Sequence, residues 1–155
     1  MSSAALGAGC RMPESSLESD FLRLRESGYQ ITSDPDDRYN CVAWAAGDQR
    51  KWWDPSYGYY WPVAARLKSV EGFMSVFRSL GYELCESRDV EPGFEKIAIY
   101  ANGLWPTHVA RQLENGNWTS KCGEEEDIEH NLQGLEGGDN GRVVVVMKRE
   151  GRPDS

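Results

Sequence analysis

The sequence is short of positive charge and poor in the side chains that hold metals. His108 and His130 are its two histidines, and its four cysteines, Cys10, Cys41, Cys85 and Cys122, are irregularly spaced with no CxxC pair. That spacing excludes a zinc ribbon and a dithiol redox motif. The acidic run 124–127 is followed by His130 with no second histidine at helical spacing, so no metal and no cofactor are expected. Seventeen Lys and Arg against 25 Asp and Glu leave a net charge of −8. Such a balance repels nucleic-acid phosphates and anionic lipid alike, which argues against either as a partner. Apolar runs such as 143–147 fall far below the roughly 18 residues that span a bilayer. The stretch MSSAALGAGCRMPE has no basic residue ahead of its weak Ala/Leu/Gly run, unlike an export signal. A cytoplasmic protein with free thiols is the expectation.

What is present fits one globular domain. The 155 residues are 39% hydrophobic and 27% charged, with six Trp and seven Tyr, so the chain can bury a core and carries an aromatic surplus. Residues 1–13 are expected to form a flexible tail and residues 14–150 a single domain. Leu17, Phe21 and Leu24 recur at the spacing of one helical face, with Gly28 as a stop, which predicts a helix over 15–27. Val70, Phe73, Met74, Phe77 and Leu80 predict a second over 69–80, ended by Gly81. Beyond it come short β-favouring runs: YELCES, EKIAIYA, HVARQL, NWTSK and RVVVVMK. Asn115 and Gly116 supply the pair that closes a two-residue hairpin between the third and fourth of these. The segment EEEDIEHNLQGLEGG lacks strand alternation over its length and reads as a short helix or a loop. The fold class expected is α+β, with N-terminal helices packed on a mainly antiparallel sheet.

The chemistry concentrates in DRYNCVAWAAGD. Asn40 suits an N-cap, the residues after it suit about a turn and a half of helix, and Gly47 suits the position past its end. Cys41 therefore falls in the first turn, where amide N–H groups favour a thiolate. The histidine to activate it has to come from elsewhere, and His108, at the start of a strand after LWPT, is placed to reach a helix end. Cys41 with His108 would perform acyl transfer through a thioester, the imidazole taking and returning the proton. Equally, Cys41 can serve as a small core residue and His108 as a strand-start histidine bonded to a carbonyl. The aromatic loop 52–61, WWDPSYGYYW, reads as a hydrophobic cap or as a wall for substrate, with Asn40, Trp52, Trp53, Tyr60 and Trp61 as the candidate substrate-binding residues.

NCVAWA around Cys41 and THVARQLENGNW as a His-bearing hairpin, in that order, resemble a papain-like cysteine hydrolase of the compact NlpC type. The resemblance implies a papain-like fold and a thiol-dependent hydrolase, amidase or acyl transferase acting on an amide or peptide-like bond, in a small substrate or a protein. It implies a third, orienting residue one strand after the histidine, which lands near Ser120, a position where that family often has His. His130, just beyond, is an equally good third member. As a set, YNCVAWAAGD…WW, EKIAIYA and THVARQL…WTSK also resemble an uncharacterised bacterial domain family with no assigned activity. The alternative to an enzyme is a noncatalytic binding or interaction module that uses the loop 52–61 as its contact surface.

Overall fold

Short runs that hold β-branched and aromatic residues recur through the second half of the chain, and they build most of one sheet. The computed structural model describes residues 24–122, 126–137 and 140–151. The strands are β1 (Tyr29–Ile31), β2 (Glu83–Cys85), β3 (Phe94–Asn102), β4 (Trp105–Gln112), β5 (Trp118–Lys121), β6 (Asp127–His130) and β7 (Arg142–Glu150). They form a seven-stranded sheet in the order β1-β6-β5-β4-β3-β7-β2, and every pairing in it is antiparallel. The helices are α1 (Leu24–Ser27), α2 (Cys41–Ala46) and α3 (Val70–Ser79), with a 3-10 turn at Leu132–Leu135.

This overturns the expected papain-like, NlpC-like α+β arrangement of N-terminal helices packed on a sheet. The molecule is mostly antiparallel sheet, and its only helices longer than one turn, among the described residues, are α2 and α3, of six and ten residues. The cause is local. Gly47 in the left-handed region stops α2, and Pro55, Gly58 and Pro62 deny a helix to the stretch that follows. The tail expected at 1–13 and most of the helix expected at 15–27 lie outside the described residues.

Two further expectations change. The chain after β5 contains a strand, β6, because Asp127–His130 finds partners on both sides, β5 and β1. Asp-Ile-Glu-His holds a single aliphatic residue, so no apolar alternation announces a strand there. The β4–β5 hairpin has a three-residue loop, not a two-residue one: Leu113 N–H donates to Asn117 O at 2.7 Å and Gly116 N–H to Leu113 O at 3.0 Å. Gly116, at φ +93, takes the left-handed position that such a loop requires.

The sheet is buried on both faces. Ile97, Ile99 and Val109 pack with α2, α3, Trp53 and Trp61 on one face. Ala98, Tyr100, Ala110, Trp118 and Ile128 pack with Leu24, Leu132 and Leu135 on the other. Helix α3 begins on a capping bond from Gly72 N–H to Ser69 Oγ, and its Gly72 lies against the preceding loop. A Cβ there would stand 2.0 Å from Leu67 O. Gly72→Ala is therefore expected to destabilise the fold by about 1–3 kcal/mol, as overpacking does, read as a lower urea midpoint at unchanged m-value.

Candidate active site

Asn40 builds one end of the site. Its Oδ1 accepts from Ala43 N–H at 3.1 Å, which caps α2, and from Trp53 N–H at 3.2 Å, while its Nδ2 donates to Trp53 O at 2.7 Å. One side chain thus joins the start of α2 to the aromatic loop. At the other end of the helix Asp48 Oδ2 accepts from Trp53 Nε1 at 2.9 Å. The loop closes on itself where Asp54 N–H donates to Tyr60 O at 3.0 Å.

Between α2 and the starting end of β4 lies a cavity of about 610 Å³. Asn40, Cys41, Trp52, Trp53, His108 and Cys122 are among the residues that line it. Of the other expected substrate-binding residues, Tyr60 packs outside against Trp53, with ring centroids 5.1 Å apart. Trp61 is buried against Phe73 at 5.7 Å, and its Nε1 donates to Ala65 O.

Cys41 is half-buried, and burial is the largest influence on its thiol, pushing the pKa up. The N–H groups of Val109, Val42 and Cys41 itself, then the charge of Lys121, pull the other way. Cys41 packs against the cluster that holds Val109, the residue after His108 on β4. No hydrogen bond joins Cys41 to His108 among the described residues, and strand alternation explains why. Val109 takes the α2 face, so His108 takes the opposite one, where its ring meets Tyr100 edge-on at 5.5 Å. Burial, with His130 nearby, lowers the His108 pKa to about 3, so the ring is neutral.

Ser120 and His130 lie on that same face as His108. The sheet register pairs Arg111 with Thr119 and Trp118 with His130, and continuing the first sets His108 opposite Cys122. His130 Nδ1 lies 2.6 Å from Asn131 O, so it carries the proton and donates. Nε2 then accepts from the Ser120 hydroxyl at 2.7 Å. Both side chains are buried, and burial first of all lowers the His130 pKa to about 4. The structure thus groups three of the four predicted catalytic residues on one face and leaves Cys41 on the other, with the cavity touching Cys41 and His108 together.

Sequence reasoning missed Lys121, Tyr39 and Asp127. Lys121 is fully buried, with Nζ 5.0 Å from the centre of the Tyr39 ring. Tyr39 OH donates to Asp127 Oδ2 at 2.8 Å, and Asp127 sits opposite Lys121 in the β5–β6 register. The signal available was the placement of a lysine and an aspartate at corresponding positions of two neighbouring strands, and it needed β6 to be seen first.

Fold and cavity together define an antiparallel-sheet domain with a thiol-bearing cavity at one end of its central strands. The chain belongs to the family described as Domain of unknown function (DUF7689), whose model matches residues 30–148. No curated protein and no solved structure matches it. The match agrees with the resemblance to an uncharacterised domain family and lends no support to the NlpC-type one.

The two neutral histidines fix a pH dependence. Each has a native pKa depressed below its ordinary 6.5, so the unfolded chain binds more protons as the solution is acidified. Each contribution to stability is complete above about pH 6.5 and is lost as pH falls toward about 4 for His130 and about 3 for His108. Within that window each ring contributes a slope of up to about 1.4 kcal/mol per pH unit. Asp127, raised by burial, opposes the trend. Urea titrations at pH 7, 6 and 5 are expected to show a shallower loss in His130→Gln than in the parent protein, which isolates that ring.

Proposed function

We propose that the protein is a thiol-dependent hydrolase, amidase or acyl transferase in which Cys41 attacks an amide or peptide-like carbonyl. The observation that carries this reading is the seat of Cys41: it lines a cavity of about 610 Å³ together with His108. Resting thiol and resting imidazole are both neutral, so the proton moves as the bond forms. As sulfur bonds to the carbonyl carbon, the His108 ring, which at rest meets Tyr100, swings toward the cavity and takes the thiol proton. The carbonyl oxygen gains the electron pair, and the amides around Cys41 stabilise it. Collapse expels the amine with the proton from His108 and leaves a thioester, which water or an acceptor amine then cleaves. Trp52 and Trp53 form the apolar wall for the acyl group, and Asn40 keeps that wall fixed to α2. Cys41, Cys85 and Cys122 are free thiols, which suits a reducing cytoplasmic setting for this chemistry. Among the described residues no helix is long and apolar enough to cross a membrane.

A specific observation favours a second reading, a noncatalytic binding module: sulfur and imidazole share no hydrogen bond, while Tyr57 and Trp105 present 93% and 56% of their surface to solvent near the aromatic loop and the cavity mouth. One experiment separates the two. On exposure to p-nitrophenyl acetate, the enzyme reading expects a burst of nitrophenol and a mass increment on the Cys41 peptide. Cys41→Ala should remove both, and His108→Ala should slow the burst by about 10²- to 10⁴-fold, the usual contribution of a positioned base. Acetylation absent from Cys41, or equal in His108→Ala, overturns the enzyme reading in favour of the binding module.

A further inference from the structure

A lysine with no exposed surface costs stability unless it is compensated, so its position calls for an explanation. Lys121 lies on the face of β5 that α2 covers. The same face carries Thr119, whose Oγ1 accepts from Trp44 Nε1 at 3.0 Å. Beneath the start of α2, Lys121 lies over the ring of Tyr39 at 5.0 Å, two residues before Cys41 in the chain. Tyr39 in turn holds Asp127 at 2.8 Å. The β4–β5 register ends at Arg111 with Thr119; two residues further along, Lys121 comes level with Val109, on the face where Cys41 packs.

We propose that Lys121 is a positioning residue for Cys41, a buried cation seated over the Tyr39 ring and level with Asp127 that favours the sulfur as a thiolate once its proton leaves. The inference rests on the reading of Cys41 as the reacting thiol. It supplies what His108, neutral and on the other face, does not supply: a standing positive charge on the sulfur's own side of the sheet. Tyr39 and Asp127 perform separate tasks. The ring offers its π-face to the ammonium, and the carboxylate keeps that ammonium charged against burial, which otherwise lowers the Lys121 pKa. The coupling is mutual, since Cys41 favours the charged lysine and Lys121 favours the thiolate. Among the described residues, the titratable groups that face Lys121 include Cys41 and Tyr39 from the α2 side, Asp127 across β6, Asp36 from the loop before α2 and Cys122 beside it.

The test uses the full chain and needs no substrate, so it fails or succeeds independently of any hydrolase assay. The rate at which iodoacetamide alkylates Cys41 is followed by mass spectrometry from pH 6 to pH 11. Lys121→Met should move the midpoint of the profile up by about one pH unit and slow alkylation at neutral pH about tenfold, one pH unit being tenfold in thiolate. Lys121→Arg, which keeps the charge, should restore the rate to within about threefold. A folded Lys121→Met protein with the parent profile overturns the proposal. The reciprocal measurement holds even if Lys121→Met does not fold: in Cys41→Ser, carbon-13 NMR of the lysine Cε should show Lys121 losing its proton at lower pH than in the parent. An unchanged Lys121 titration in Cys41→Ser overturns the proposal as well.

Discussion

Strand β4 is buried on both sides, and this constraint governs everything around it. Each of its residues must serve one of two cores, and the pleat decides which. Val109 and Arg111 serve the side of α2 and α3, where Arg111 stacks over Trp44 at 5.2 Å. His108 and Ala110 serve the side of Tyr100 and Leu132. A shift of one residue would exchange the two sets and put His108 under α2. The bulge between Tyr100 and Ala101, where the β3–β4 register shifts, sits next to this choice and lets the chain bend into the cavity wall at Pro106 and Thr107.

Asn40 does for the helix what the pleat does for the strand. It satisfies an amide at the start of α2 and both main-chain groups of Trp53, so helix and aromatic loop move as a unit. An aliphatic residue there would leave three buried polar groups unpaired, each a loss of about 1–3 kcal/mol. The cavity exists because this unit bridges from α2 to the wall formed by Trp105, Pro106 and Thr107.

Buried charge marks where the fold gives up stability for something else. Lys96 is compensated by main-chain oxygens of Ser87 and Asp89 at 2.8 and 2.7 Å and by Glu91 at 2.6 Å, which ties the loop before β3 to the sheet, a structural task. Lys121 lies over the ring of Tyr39 and level with Asp127, on the face that the helix carrying Cys41 covers. The Ser120–His130 pair is also complete in itself, since both ring nitrogens of His130 are engaged.

By itself the sequence determined the local elements. Helical periodicity gave α3 within a residue, Asn40 and Gly47 bounded α2, and the Val/Ile/Tyr-rich runs gave β3, β4, β5 and β7, because capping, glycine freedom and side-chain period act over a few residues. It also brought attention to Cys41 and His108, which share a cavity. Tertiary structure alone decided the rest: that the sheet outweighs the helices, that Asp127–His130 is a strand, and that Cys41 and His108 approach from opposite faces. Those outcomes depend on which strands pair and in what register, and pairing is a contest among distant segments that local pattern does not score. Lys121 was invisible for the same reason, since a lysine reads as surface until its neighbours close over it.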